Sequence, residues 1–407
     1  MIGFDDALDR VLATLRDRSP ETELVDLDDS LGRILAEDLM AGEDFPANAN
    51  SAMDGFAVKA ADLAAEDSLR LVGQSLAGQP FEGELGEGAC TRVMTGGLIP
   101  TGADAVVPVE RTSGYEARAD GSVAFEGAVQ VGDNIRPAGG VRKKGERLLA
   151  AGHRIRPASI GVLASQGKDR VSVGRRPKVA VLPTGDEIVE VGETPAPGQV
   201  RNSNAHALLA QVKAAGACAT LLPLLRDEEG RSRDRIGAAL DEFDLVCTIG
   251  GVSMGTKDLV RGAFAELGGK TLVETIRIKP GKPTLFGERN KEGRTSYLLG
   301  LPGNPASSFT LFALLGAAWI QGYQGGSLDD WRQRNRATLW YSKVRPNRRL
   351  QALPARLRLA ADGVTLLNLP QRTSADLFSL AEADAFFLAE ENSGPRDGEI
   401  VDWIPLP

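Results

Sequence analysis

Apolar and polar positions change their rhythm several times along this chain. Phe4, Leu8, Val11, Leu12 and Leu15 recur at helical spacing among charges, which predicts an amphipathic helix over 5–18. A short apolar segment follows at 24–27, and Asp29 or Ser30 offers the cap for a second helix over 31–39. From 69 to 110 and again from 115 to 141 short alternating runs are broken by Gly, Asp and Asn, the signature of brief β segments. An alanine-rich helix is expected within HRIRPASIGVLASQG, and this stretch pairs with the N-terminal segment to complete a discontinuous domain. Between 174 and 326 buried strands (179–182, 220–224, 245–249) alternate with helices (205–215, 228–242, 258–267, 304–321). That alternation predicts an α/β multidomain protein whose largest domain is a doubly wound sheet covered by helices. Beyond the glycine-rich Gly322–Gly326, alternating segments at 356–359, 364–367, 385–388 and 399–403 predict a small β-barrel.

The strands of the alternating region end abruptly. CTIGGVSMGTKD runs from a buried strand into Gly250 and Gly251, then Ser253, and reaches Asp258 at the head of a helix. Lys178–Val181 opens into PTGDE, and Tyr297–Leu301 into PGNP with a helix behind it. Ligands of open α/β sheets collect beyond the carboxyl ends of the strands, and glycines there let a ligand approach the backbone. Asp186, Glu187, Asp227 and Asp258 stand beside these exits, and the proline-stiffened IKPGKP carries Lys279 and Lys282. Singly, each acid reads as well as a turn former or helix cap. Together with two lysines they suit a polyphosphate or another oxyanion bound through Mg²⁺. Upstream, Asp54 precedes Gly55 at a turn, and Thr95 precedes Gly96 and Gly97, where a hydroxyl and open amides could face an oxyanion.

Composition narrows this chemistry. With 47 basic and 55 acidic residues the net charge is −8, which argues against a general nucleic-acid surface, so an anion needs a local site. Arg136, Arg142, Lys143 and Lys144 form the most basic stretch, read here as a solvated turn. Only His153 and His206 occur, so a histidine-rich metal centre is excluded and a Ser-His-Asp triad is disfavoured. Cys90, Cys218 and Cys247 form no C-x-x-C pair and read as small buried hydrophobes. No P-loop and no G-x-G-x-x-G fingerprint is present. Without a signal peptide or an 18-residue apolar run, the cytoplasm is the expected compartment and no membrane partner is expected.

SAMDGFAV, RVMTGGLIPTGADAVV, VAVLPTGDE, IGGVSMGTKD, IKPGKP and LPGNPASS, in that order, resemble the molybdopterin molybdenumtransferases: the bacterial MoeA proteins and the gephyrin E domain. The resemblance covers essentially the whole chain. It implies a homodimer of four-domain subunits: a discontinuous linker domain (1–41 and 142–173), an inserted β domain (42–141), a molybdopterin-binding α/β domain (174–326) and a C-terminal barrel (327–407). It also implies that adenylylated molybdopterin is cleaved, molybdate is placed on the dithiolene and AMP leaves, with Mg²⁺ assisting. Glu187, Asp227 and Asp258 then match the acids holding Mg²⁺ and substrate, and Lys279 and Lys282 the lysines neutralising phosphate or molybdate. Asp54 and Thr95 match functional positions of the inserted domain, Pro302 and Pro305 shape the neighbouring loop, and Ser379 matches a barrel serine lining the cleft. The glycine pair Gly250–Gly251 and Ser253 fall among the substrate contacts. A molybdopterin adenylyltransferase and molybdoenzyme maturation proteins are the implied partners.

Two positions depart from the family pattern. Gly139, Gly140 and Val141 replace a turn that usually carries two acids, and Asp384 stands where asparagine is commoner. The first loss opens an alternative, a non-catalytic cofactor carrier or scaffold. A third reading, adenylyl transfer onto the pterin by the α/β domain, sits poorly with the four-domain organisation.

Overall fold

The computed structural model describes residues 1–226, 229–252, 259–331, 333–340, 344–360 and 363–406. The chain divides into two compact units, one of Met1–Glu37, Ala151–Ile160 and Asp169–Pro407, the other of Asp38–Ala150 and Gly161–Lys168.

The larger unit is built on a six-stranded sheet. Its strands are β1 (Lys178–Pro183), β2 (Cys218–Leu221), β3 (Leu245–Ile249), β4 (Lys270–Thr275), β5 (Pro283–Lys291) and β6 (Arg294–Leu301), in the order β2-β1-β3-β6-β5-β4. The first four are parallel, and β5 and β4 add an antiparallel edge. Because side chains alternate along a strand, each central strand feeds two cores. Val179, Val181, Cys247, Ile249, Leu299 and Leu301 face helix α1 (Phe4–Arg16) and helix α2 (Ser203–Ala214), whereas Ala180, Leu182, Val246 and Leu298 face α3 (Glu229–Glu242) and α4 (Leu259–Glu266). The sheet is therefore covered on both sides, as the sequence pattern requires. On the α1 face the helix after β6 runs as α5 (Pro305–Leu311), a π turn over Phe312–Gly316 and α6 (Ala317–Tyr323).

Arg175 pins the amino end of this sheet. Its guanidinium donates to both carboxylate oxygens of Asp244, at 2.9 and 3.2 Å, and to the hydroxyl of Tyr323 at 2.6 Å. Burial pushes the Asp244 carboxyl up, but the Arg175 bonds and the Lys178 N–H outweigh it, leaving Asp244 below the usual carboxylate value. The stability this provides is present above the unfolded carboxylate pKa and lost as pH falls through the folded one. Arg175→Ala leaves Asp244 buried without its main partner and is expected to cost about 2 kcal/mol at neutral pH. Urea titrations should show the gap between variant and parent closing below about pH 4.

The C-terminal strands β7 (Asn335–Trp340), β8 (Leu350–Ala360), β9 (Gly363–Asn368), β10 (Ala385–Ala389) and β11 (Ile400–Pro405) close into a five-stranded barrel, β7 pairing with β9 and β11, and β8 with β9 and β10. The short strand Ile278–Lys279 pairs with β8, which hangs the lysine loop on the barrel.

The smaller unit holds a five-stranded sheet ordered Ala105–Pro108, Gly55–Val58, Ala89–Val93, Ser68–Ser75, Ser122–Ala124. Phe56 and Phe125 meet edge to face in its core at 6.0 Å. Gly55 is dictated by strand packing: a Cβ there would stand 2.0 Å from the Val107 carbonyl oxygen.

Two expectations fail. No helix forms over 31–39: Leu27–Ser30 is a single 3₁₀ turn, and Gly32 turns the chain at φ +76°. The following backbone is used instead by isolated bridges, with Leu35 N–H donating to His153 O and Ala36 N–H to Ser172 O. Cys218 is exposed, because it opens the edge strand β2, while Cys90 and Cys247 are buried as expected. Burial pushes the Cys90 thiol up to about 12, which makes it inert.

Candidate active site

Three strand exits lie side by side. Pro183 of β1 is level with Ile249 of β3, and Ile249 with Leu301 of β6, so PTGDE, GGV and PGNP leave one edge of the sheet together. Thr184 N–H donates to Ile249 O and Gly250 N–H to Leu301 O. Gly250 has φ +93°, and a Cβ on it would come within 2.8 Å of the Thr184 hydroxyl. Gly251, at φ +66°, is likewise left-handed, so the glycine pair is set by backbone geometry. Glu187 is exposed just after β1, and its backbone carbonyl accepts the Val200 N–H. Asn204 donates through Nδ2 to Gly303 O at 2.6 Å, while its Oδ1 is buried without a partner among the described residues. Asp227, Ser253 and Asp258 lie outside the described residues.

PGNP links this edge to a second feature. Pro305 occupies the first turn of α5, whose start is tied to the barrel by Ala306 N–H donating to Ser374 O. Asn304 and Ser307 then line a cavity of about 850 Å³ walled on its other sides by the lysine loop and the barrel. Among the described residues Lys279, Lys282, Arg345, Arg349 and Arg372 line it, against one carboxylate, Asp397. Gln371 also lines it, and its Nε2 is a buried donor without a partner among the described residues. The five cations repel one another unless an anion enters, and the idle N–H is a further donor for it, so the lining suits an oxyanion.

The structure thus brings Lys279 and Lys282 to one cavity, which takes in Asn304 of PGNP but not Glu187, Gly250 or Gly251, and adds three arginines and Gln371 from the barrel. VRPNRR and PQRT were the only sequence cues to those. Ser379 lines a neighbouring depression instead, its hydroxyl donating to Asp376 O at 3.4 Å. Among the described residues no group of three or more His, Cys, Asp or Glu could hold a metal. Glu187 and the idle Asn204 oxygen are oxygen donors of the kind Mg²⁺ takes, and the other two expected carboxylates, Asp227 and Asp258, lie outside the described residues.

In the smaller unit Asp54 and Thr95 do meet. Asp54 Oδ1 accepts both the Thr95 N–H and its hydroxyl at 2.7 Å, bonds that hold the carboxyl below its ordinary value. The turn at Gly139–Val141 carries no carboxylate; the one beside it is Asp44, which caps Lys144 N–H at 2.7 Å. Asp384 has a structural task, accepting the Leu357 N–H at 2.9 Å between barrel strands.

This combination, a doubly wound domain with a ligand edge joined to a barrel through a cationic cavity, defines an anion-binding α/β protein. Residues 2–167 match the MoeA N-terminal region (domain I and II), 180–321 a probable molybdopterin binding domain, and 342–406 the MoeA C-terminal region (domain IV). A molybdopterin molybdenumtransferase of Bacillus subtilis is 37% identical over 325 residues, covering 79% of this chain and 74% of that protein. One from Staphylococcus epidermidis is 32% identical over 388 residues, covering 93% and 90%. The crystal structure of a molybdopterin biosynthesis MoeA protein from Pyrococcus horikosii superposes with a TM-score of 0.80 at 30% identity, covering 100% of this chain and 99% of that one. The chain belongs to the molybdopterin molybdenumtransferase (MoeA) family.

Proposed function

We propose that this protein inserts molybdate into adenylylated molybdopterin, releasing AMP, in molybdenum cofactor biosynthesis. The observation that carries the reading is the cationic cavity beside the strand exits. Molybdate is a tetrahedral dianion, and Lys279, Lys282 and the barrel arginines supply charge-assisted donors for its oxygens. The glycine pair turns the backbone at the adjacent edge, where its positive φ and the contacts with Thr184 and Val260 require glycine, and Asn204 holds the PGNP loop between the two. Glu187, Asp227 and Asp258 are the proposed Mg²⁺ carboxylates, with Asn204 Oδ1 as a further oxygen donor. Bound there, Mg²⁺ would offset charge on the phosphoanhydride oxygens. Lysines 279 and 282 would stabilise the charge that develops as the anhydride breaks, and hold molybdate close to the pterin sulfurs.

Asp54 and Thr95, Pro302 and Pro305, and Ser379 remain proposed contacts of the substrate or of its loops. The same reading includes a homodimer in the cytoplasm. No described helix is long and apolar enough to cross a membrane. The acid-free turn at Gly139–Val141 favours one second reading, a carrier that binds the cofactor without turnover.

Asp258→Ala tests the assignment of the acids. It is expected to slow AMP release about 100-fold or more and to raise the Mg²⁺ concentration needed for half-maximal rate, with molybdate affinity retained. An unchanged Mg²⁺ requirement would remove Asp258 from the metal site.

A further inference from the structure

A second depression, of about 570 Å³, adjoins the cationic cavity and shares Pro370, Arg372 and Thr373 with its wall. Its chemistry is different. Leu369, Pro370, Ala375 and Phe378 give it an apolar wall. Its two carboxylates are already engaged: Asp376 accepts the N–H groups of Arg372, Phe378 and Ser379, and Glu382 pairs with Arg356 at 2.9 Å. Phe378, fixed at the start of the short helix Phe378–Ala381, is 87% exposed. A lone exposed apolar side chain needs no explanation. This one stands beside a cavity that demands an anion, and Arg372, whose backbone N–H donates to Asp376 at 3.1 Å, lines both spaces.

We propose that Phe378 is a stacking platform for the planar heterocycle of a phosphate-bearing substrate whose anionic end lies in the cationic cavity. A nitrogen heterocycle carries little charge but a wide π face, and it matches a site offering area rather than ions. Arg372 then serves the phosphate on one side and the ring on the other. Adenine of the nucleotide and the pterin share this chemistry. The inference rests on the cavity being an oxyanion site.

Titration calorimetry on the whole protein separates the two claims, using AMP, a pterin phosphate, ribose 5-phosphate and molybdate as probes. Phe378→Ala is expected to weaken AMP or the pterin phosphate about tenfold, the scale of one stacked base, while Phe378→Trp keeps or tightens it. Ribose 5-phosphate and molybdate should be unaffected. A loss confined to AMP assigns the platform to the nucleotide, and one confined to the pterin phosphate assigns it to the pterin. Equal affinities of both ring-bearing probes for parent and Phe378→Ala, or an equal loss for ribose 5-phosphate, overturns the platform and leaves the cavity standing. Absence of molybdate binding to the parent protein would overturn the cavity itself.

Discussion

Replacing Lys279 and Lys282 together by alanine is expected to abolish measurable molybdate binding and to lower turnover about 100-fold or more, with the fold intact. Both side chains are exposed and line the cavity, so their removal creates no packing defect. What is lost is charge: among the described residues, five cations facing one carboxylate become three, and the remaining arginines are left to offset a dianion. Lys279→Arg with Lys282→Arg keeps the charge but alters donor geometry, and should recover binding more than rate. Calorimetry with molybdate and a thermal melt of each variant check this together. A double alanine variant that binds molybdate as the parent does would move the oxyanion site elsewhere.

Trp319→Ala should be among the most damaging single changes to stability, costing about 3–5 kcal/mol. The ring is fully buried between Tyr297, at 5.0 Å, and Tyr323, at 4.9 Å, where α6 packs on the sheet. Its Nε1–H has no partner among the described residues. Trp319→Phe removes that idle donor along with some volume, so it should cost much less than the alanine variant. Urea unfolding of the two variants measures the difference. Equal destabilisation by phenylalanine and alanine would mean that the indole N–H is bonded and its loss dominates.

Much of this was legible in residue order because it is local. Buried strands announced themselves at 179–182, 245–249 and 297–301 as apolar runs cut off by Gly or Pro, and parallel pairing then forces their exits to one edge. The lysine loop could be singled out because two lysines among prolines and a glycine form a stiff, charged turn. Arg345, Arg349 and Arg372 were not legible, since they gain meaning only when barrel closure and the pairing of Ile278–Lys279 with β8 carry their loops to the lysines. The expected helix over 31–39 failed for a related reason: its propensity is local, whereas the bridges to residues 153, 154, 172 and 173 that replace it are not. Asp54 and Thr95 were identified separately, but their mutual hydrogen bonds depend on neighbouring strands of the smaller sheet.

The proposed role of the cationic cavity is molybdate insertion with release of AMP. Its most direct test is AMP release from adenylylated molybdopterin by the purified protein with Mg²⁺, measured with and without molybdate. Release is expected to depend on molybdate and to be lost in the Lys279→Ala, Lys282→Ala double variant; tight binding of the adenylylated pterin with no AMP release at any molybdate concentration would contradict that role and leave a carrier.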